Sequence, residues 1–175
     1  AEVGQATNSG VSPLFIASQN AHLDVARLLL HKGAKVCQAK DNGSSPLYIA
    51  SQNGRLDVAR LLLVKGAKIC QARNDGASPL LEASYNGHHD VARLLLDKGA
   101  EVGQADNNGV SPLCAASENG HLDVARLLLD KGAEVGQAMN DGASPLCAAS
   151  RNGFLDMARL LLDNFVFDGP ATTDI

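Results

Sequence analysis

The tripeptide Ser-Pro-Leu occurs five times, beginning at Ser12, Ser45, Ser78, Ser111 and Ser144, always 33 residues apart. A fixed period of this length constrains the fold more than any single segment, because each copy is a supersecondary unit too small to bury its own apolar face. Such units must stack, and their stability then depends on the neighbours on either side. The phase divides the chain into repeats at approximately 7–39, 40–72, 73–105, 106–138 and 139–171, within a single domain spanning 1–175. Residues 1–6 read as the tail of a preceding unit, and 163–175 as an atypical end.

The second unit shows how the residues dictate a local structure. Asp41-Asn42-Gly43 supplies turn chemistry, Ser45 has a hydroxyl that can cap a helix, and Pro46 carries the fixed φ of a first helical position. Leu47, Ala50 and Ser51 give that short helix a narrow inward stripe. Asn53-Gly54 suits a β-hairpin in isolation. Lying between two helical patterns, Gly54 reads instead as a left-handed helix stop. Leu56, Val58, Ala59, Leu61, Leu62 and Leu63 then make a second helix apolar nearly all round, as expected of an element covered on several sides, and Lys65-Gly66 ends it. Asp57 and Arg60, three residues apart on the outer edge, are expected to form a solvated ion pair that recurs in every unit.

Aromatic residues make up 3% of the chain and Trp is absent, so the core has to be built from Leu, Ala and Val, which suits thin helical layers. The net charge of −4 conceals an asymmetry: nine basic residues against four acidic up to Arg73, six against fifteen after it. A partner lying along the molecule would meet a field that changes sign. Cys37 and Cys70, like Cys114 and Cys147, stand 33 residues apart. Stacked helices are spaced about 8–10 Å apart, too far for a disulfide. Reduced thiols and a cytoplasmic or nuclear location are the expectation. No stretch approaches a membrane helix, and the first residues lack the basic and apolar regions expected of a signal peptide.

The residues Gly43-Ser44-Ser45-Pro46-Leu47, Ala50-Ser51, Gly54, Leu61-Leu62-Leu63 and Lys65-Gly66-Ala67, repeated in phase, resemble the ankyrin repeat family, whose pattern runs D-x-x-G-x-T-P-L-H-x-A-A, then G-H, then L-L-x-x-G-A. The resemblance implies an all-α solenoid of helix-turn-helix units with projecting β-turn or hairpin loops. It also implies a non-enzymatic binding scaffold whose first helices line a concave groove. The family's His after Pro-Leu is here Phe15, Tyr48, Leu81, Cys114 or Cys147, which removes a usual tie between adjacent loops. Its loop Asn is Cys37, Cys70, Gly103 or Gly136. The copies are alike enough to arise by duplication or by engineering to a consensus.

Between copies the framework is nearly constant, and variation gathers on the turn tips and one face of the first helix. The candidate partner-binding residues are Phe15, Ile16, Gln19, Lys40, Tyr48, Ile49, Gln52, Arg73, Leu81, Glu82, Tyr85, Asp106, Glu118 and Arg151. In the first three units Phe15, Ile16, Tyr48, Ile49, Leu81 and Tyr85 are expected to form an exposed apolar strip, with Tyr48 and Tyr85 as anchors. The competing reading packs Phe15, Ile16, Tyr48, Ile49 and Leu81 between adjacent hairpins. Basic Lys40 and Arg73 flank the strip, whereas Glu82, Asp106 and Glu118 make the later part acidic, which suits a polypeptide with an apolar anchor and acidic groups near the first units.

Catalytic and metal chemistry find little support. No C-x-x-C or H-x-x-x-H spacing occurs, and His88-His89-Asp90 is the single dense cluster. His89 replaces a Leu of the other units and is read as a tolerated packing change. Cys114 and Cys147 recur in register like framework residues rather than as nucleophiles, and the glycines belong to turns and helix ends instead of phosphate loops. With a pI near 5.7 and no basic run, nucleic acid is not expected. The expectation is a protein or peptide partner, with no cofactor, metal, membrane or small-molecule substrate. Phe154, Met157, Phe165 and Phe167 make the last unit apolar, so its tail is expected to fold back as a cap, with self-association as the alternative to a monomer.

Overall fold

A computed structural model describes residues 3–165. Phe167, the Asp168-Gly169-Pro170 segment and the remainder of the expected fifth unit lie outside the described residues, as does the fold-back expected of them. The described chain alternates short and longer helices: α1 Pro13–Gln19, α2 Leu23–His31, α3 Pro46–Gln52, α4 Leu56–Val64, α5 Pro79–Tyr85, α6 His89–Asp97, α7 Pro112–Glu118, α8 Leu122–Asp130, α9 Pro145–Arg151 and α10 Leu155–Asp163. No strand forms among the described residues.

Each short helix starts where the sequence puts a cap. The side chains of Ser12, Ser45, Ser78, Ser111 and Ser144 accept hydrogen bonds from the amides of Phe15, Tyr48, Leu81, Cys114 and Cys147, and a proline opens every one of these helices. Gly54 takes φ +66°, and the Arg55 amide bonds back to the Ala50 carbonyl at 2.8 Å, so Asn53-Gly54 is a helix stop and not a hairpin turn. The longer helices have no side-chain cap, but Asp24, Asp57, Asp90, Asp123 and Asp156 stand in their first turns, where a negative charge complements the helix dipole.

The core is a repeated layer rather than a central ball. Leu47, Leu80 and Leu113 from the short helices meet Val58, Val91, Val124 and Leu62, Leu95, Leu128 from the long ones, all essentially sealed from solvent. Each helix pair packs on the next, and successive short helices touch one another more extensively than successive long ones do. Neighbour dependence shows at the first unit: Val25 is 50% exposed, whereas Val58, Val91 and Val124, each covered by the preceding hairpin, are 1% exposed.

Two local expectations need correction. Asp24–Arg27 and Asp156–Arg159 close to 3.3 and 3.4 Å, but the equivalent pairs in the middle units stay open, and in the third Arg93 turns to His89 Nε2 instead. The turn loops, despite lacking the family's His, are tied by other groups. The amides of Asn74, Asn107 and Asn140 donate to the carbonyls of Asn42, Asp75 and Asn108, and their side chains donate to Asp41, Asn74 and Asn107. Lower down, Gln71 and Gln137 reach the carbonyls of Cys37 and Gly103.

Candidate protein-binding face

The turn tips overhang the short-helix side, and the overhang decides what is exposed there. Lys40 Nζ lies 5.3 Å from the centre of the Phe15 ring, and Arg73 Cζ lies 5.8 Å from that of Tyr48. In both cases the cation comes from the following unit and closes over the aromatic face, which attracts positive charge. Phe15 and Tyr48 are thereby covered, Ile49 and Leu81 are buried as well, and of the expected strip only Ile16, at 43%, and Tyr85, at 48%, expose their side chains. The continuous apolar strip expected from the sequence does not exist, because packing between hairpins claims most of it.

Tyr48 and Glu82 join across a unit boundary. The Tyr48 hydroxyl donates to Glu82 Oε1 at 2.5 Å, and Gln52 Nε2 donates to Oε2 at 2.9 Å, so both oxygens of this 9% exposed carboxylate act as acceptors. Burial, then the bond to Glu82, pushes the Tyr48 phenol well above its ordinary value. Beside them Arg73 grips Asp75 with two bonds, Nε to Oδ1 at 2.9 Å and a terminal guanidinium nitrogen to Oδ2. The guanidinium holds the Asp75 carboxyl below the usual range, and Asp75 Oδ1 also accepts from the Ala77 amide.

Gln52, Glu82, Arg73 and Asp75 line a cleft of about 290 Å³ between α5, α7 and the tips at Arg73 and Asp106. The buried Leu81 and Glu82 line it together with the more open Tyr85, Asp106 and Glu118. Asp106 is half-buried because it closes its own turn, accepting from the amides of Asn108 and Val110. Glu118 and Arg151 are exposed. Gln19 is half-buried, its carbonyl accepting from Arg55 Nε at 3.1 Å.

Sequence reasoning passed over two sets of residues. Asp75 belongs to the cleft, and the alternating charges of Arg73-x-Asp75 at a tip were the available signal. The other set is the residue before each long helix: like Arg55, His88 and His121 reach back with Nε2, to the carbonyls of Gln52 and Tyr85, both at 3.0 Å. A carbonyl can only accept, so Nε2 carries the proton in each ring. Phe154 cannot donate, and Asn152 Nδ2 makes the equivalent bond to the Glu118 carbonyl. The His88-His89-Asp90 cluster is thus largely a structural device.

All four cysteines are free. Burial raises the Cys114 thiol, whose Sγ donates to the Gln137 carbonyl, while a hydrogen bond from Ser144 lowers the exposed Cys147 thiol. Neither contacts an imidazole among the described residues. Among the same residues no group of three or more His, Cys, Asp or Glu side chains is arranged to hold a metal, and no helix is long and apolar enough to cross a membrane.

Comparison with known proteins gives one finding. A search of curated proteins returns no match. A family model for ankyrin repeats, covering three copies, matches four overlapping windows at residues 1–73, 35–106, 66–139 and 98–169. With capped helix pairs packed in series along the same span, the chain belongs to the ankyrin repeat family.

Proposed function

We propose that this protein is a non-enzymatic scaffold that binds a protein or peptide along the face formed by its short helices and turn tips. Ankyrin repeats generally act as protein–protein interaction modules. The observation that carries the reading is how internal variation maps onto the fold. Residues that stay constant between copies, such as Leu47, Ala50 and Leu62, are sealed in the core. Residues that change, Ile16, Gln52, Tyr85, Glu118 and Arg151, stand on the short helices and stay at least partly open to solvent, with Lys40, Arg73 and Asp106 on the turn tips. Phe15, Tyr48, Ile49 and Leu81 form the wall beneath and shape the surface rather than meet the partner edge-on.

A contact running the length of this face would approach the standard interface of about 800 Å² per partner. Four free thiols support a reducing setting, cytoplasm or nucleus. The test is to pan a randomised nine-residue peptide library on the full chain and map the selected peptides by amide chemical shifts. The expected perturbations fall on α1, α3, α5, α7 and α9 and on the tips. Perturbations confined to the outer surfaces of α2, α4, α6, α8 and α10 would overturn the reading.

A further inference from the structure

We infer that the cleft between α5, α7 and the tips at Arg73 and Asp106 receives one basic side chain, a Lys or Arg of the polypeptide partner, held by Glu82 and Glu118 against the ring of Tyr85. This rests on the protein-binding reading above and specifies its central anchor.

The first support is a buried carboxylate with no ion pair of its own: Arg73 is near enough to feel its charge, but the hydrogen bonds of Arg73 go to Asp75. Glu82 is nine-tenths buried, yet both of its hydrogen-bond donors, the Tyr48 hydroxyl and the Gln52 amide, are neutral. The one guanidinium in the cleft, Arg73, is committed to Asp75 by two bonds. Desolvated carboxylates are costly unless paired with a cation, and a basic side chain entering the cleft supplies one. Asp106 and Glu118 add negative charge to the same walls, and neither forms an ion pair among the described residues.

The second support is Tyr85. Its side chain is half exposed and lines the cleft, and the face of a phenol ring attracts ammonium or guanidinium groups within about 6 Å. The aliphatic stem of a Lys or Arg would lie along that ring while its charged end reaches Glu82. The cleft's volume, about 290 Å³, falls at the lower edge of the roughly 300–1,000 Å³ typical of small-molecule sites, and suits a single long side chain.

The third support is internal comparison. Where Glu82 stands, the other copies carry Ile16, Ile49, Ala115 and Ala148; where Tyr85 stands, they carry Gln19, Gln52, Glu118 and Arg151. Both departures fall on the seven-residue helix α5, and both line this cleft. The acidic half of the chain also begins here, so the long-range field draws a cation toward the cleft mouth. This partner chemistry is opposite in sign to the acidic partner expected from the tips Lys40 and Arg73, whose side chains lie over Phe15 and Tyr48, with Arg73 also bonded to Asp75.

The test uses peptides selected from the randomised library on the full chain. Lys or Arg is expected at one fixed position, with shift changes at Glu82, Tyr85 and Glu118. Replacing that residue by norleucine, which keeps the stem and removes the charge, is expected to weaken binding at least tenfold, as is Glu82→Gln, with folding checked by thermal melting. Glu118→Gln, at an exposed position, gives a second and smaller loss and keeps the test readable if Glu82→Gln does not fold. Selected peptides that occupy the short-helix face without a basic residue, or that tolerate norleucine, would overturn the cationic anchor and leave the protein-binding reading standing. Peptides mapping only to the outer helices, or failure to select any, would count against both.

Discussion

The hydroxyl of Tyr48 on α3 donates a 2.5 Å hydrogen bond to Oε1 of Glu82 on α5, 34 residues further along the chain. This bond turns a side chain that looks like a recognition anchor into a tie between successive hairpins, and it holds a carboxylate that lines the cleft. Removing the donor leaves a buried acceptor with one partner fewer. Tyr48→Phe is therefore expected to lower unfolding free energy by about 1–3 kcal/mol, the cost of a buried polar atom left unsatisfied. Urea denaturation checks this, and an unchanged midpoint would show that the bond contributes nothing.

The same bond makes stability sensitive to alkali. The phenol ionises well above its ordinary value of 10.0 in the folded chain, through burial first and the Glu82 contact second. A group whose folded value is raised contributes stability that is fully present below its unfolded value and is lost as pH rises toward the folded one. Thermal stability is thus expected to fall as pH rises above 10.0, and to fall less in Tyr48→Phe, which has no proton to lose at this position. Parallel melting curves for the two proteins between neutral and alkaline pH supply the comparison.

The helix stops offer a paired experiment. Ala21 stands at φ +60° where the other four copies have glycine, and a left-handed residue with a Cβ carries about 1–2 kcal/mol of strain. Ala21→Gly is expected to raise stability by up to about 1 kcal/mol once the added freedom of the unfolded chain is deducted. The reverse change at Gly54 carries that strain and a collision, since a Cβ there would lie 2.6 Å from Nδ1 of His88. Gly54→Ala should cost more than Ala21→Gly gains. Adding His88→Ala should make the effects non-additive, because both alter one contact.

Leu62 is fully buried between α3, α4 and their neighbours. Leu62→Ala is expected to cost about 2–5 kcal/mol through lost burial and a residual cavity. Hydrogen exchange should show the loosening in the second unit and those adjoining it, while the amides of α9 and α10 keep their protection. Uniform deprotection of the whole chain would argue against a nearest-neighbour stack.

Tyr48 and Tyr85 should now behave differently. Tyr85→Ala, at a half-exposed site, is expected to leave the melting temperature nearly unchanged and to weaken a selected peptide by about 2 kcal/mol or more, as a hot-spot residue does. Tyr48→Ala is expected to lower the melting temperature first. Calorimetry on both variants separates the two roles.

Much of the fold was legible because its signals are local. A serine cap, a proline at the first helical position and a glycine stop each act within a few residues, and five copies in phase repeat the message. The binding face was less legible, because its exposure depends on partners about 25 to 34 residues away. Nothing near Phe15 announces that Lys40 will cover it, and nothing near Tyr48 announces Arg73 or Glu82. The variable positions were identified, but variation alone does not separate a side chain that faces a partner from one that shapes the wall behind it. The role of His88 was illegible for the same reason: its acceptor, the Gln52 carbonyl, belongs to the previous hairpin.

The bonds from Asn74, Asn107 and Asn140 to the loops before them have a mechanical corollary. They fasten the rim of the molecule much as the packed leucines fasten its body, so hairpins are clasped at two levels and resist rocking against one another. Under tension applied at the termini, a clasp must break together with the leucine layer beside it. Extension is then expected to proceed in discrete steps, one hairpin at a time, rather than by gradual uncoiling.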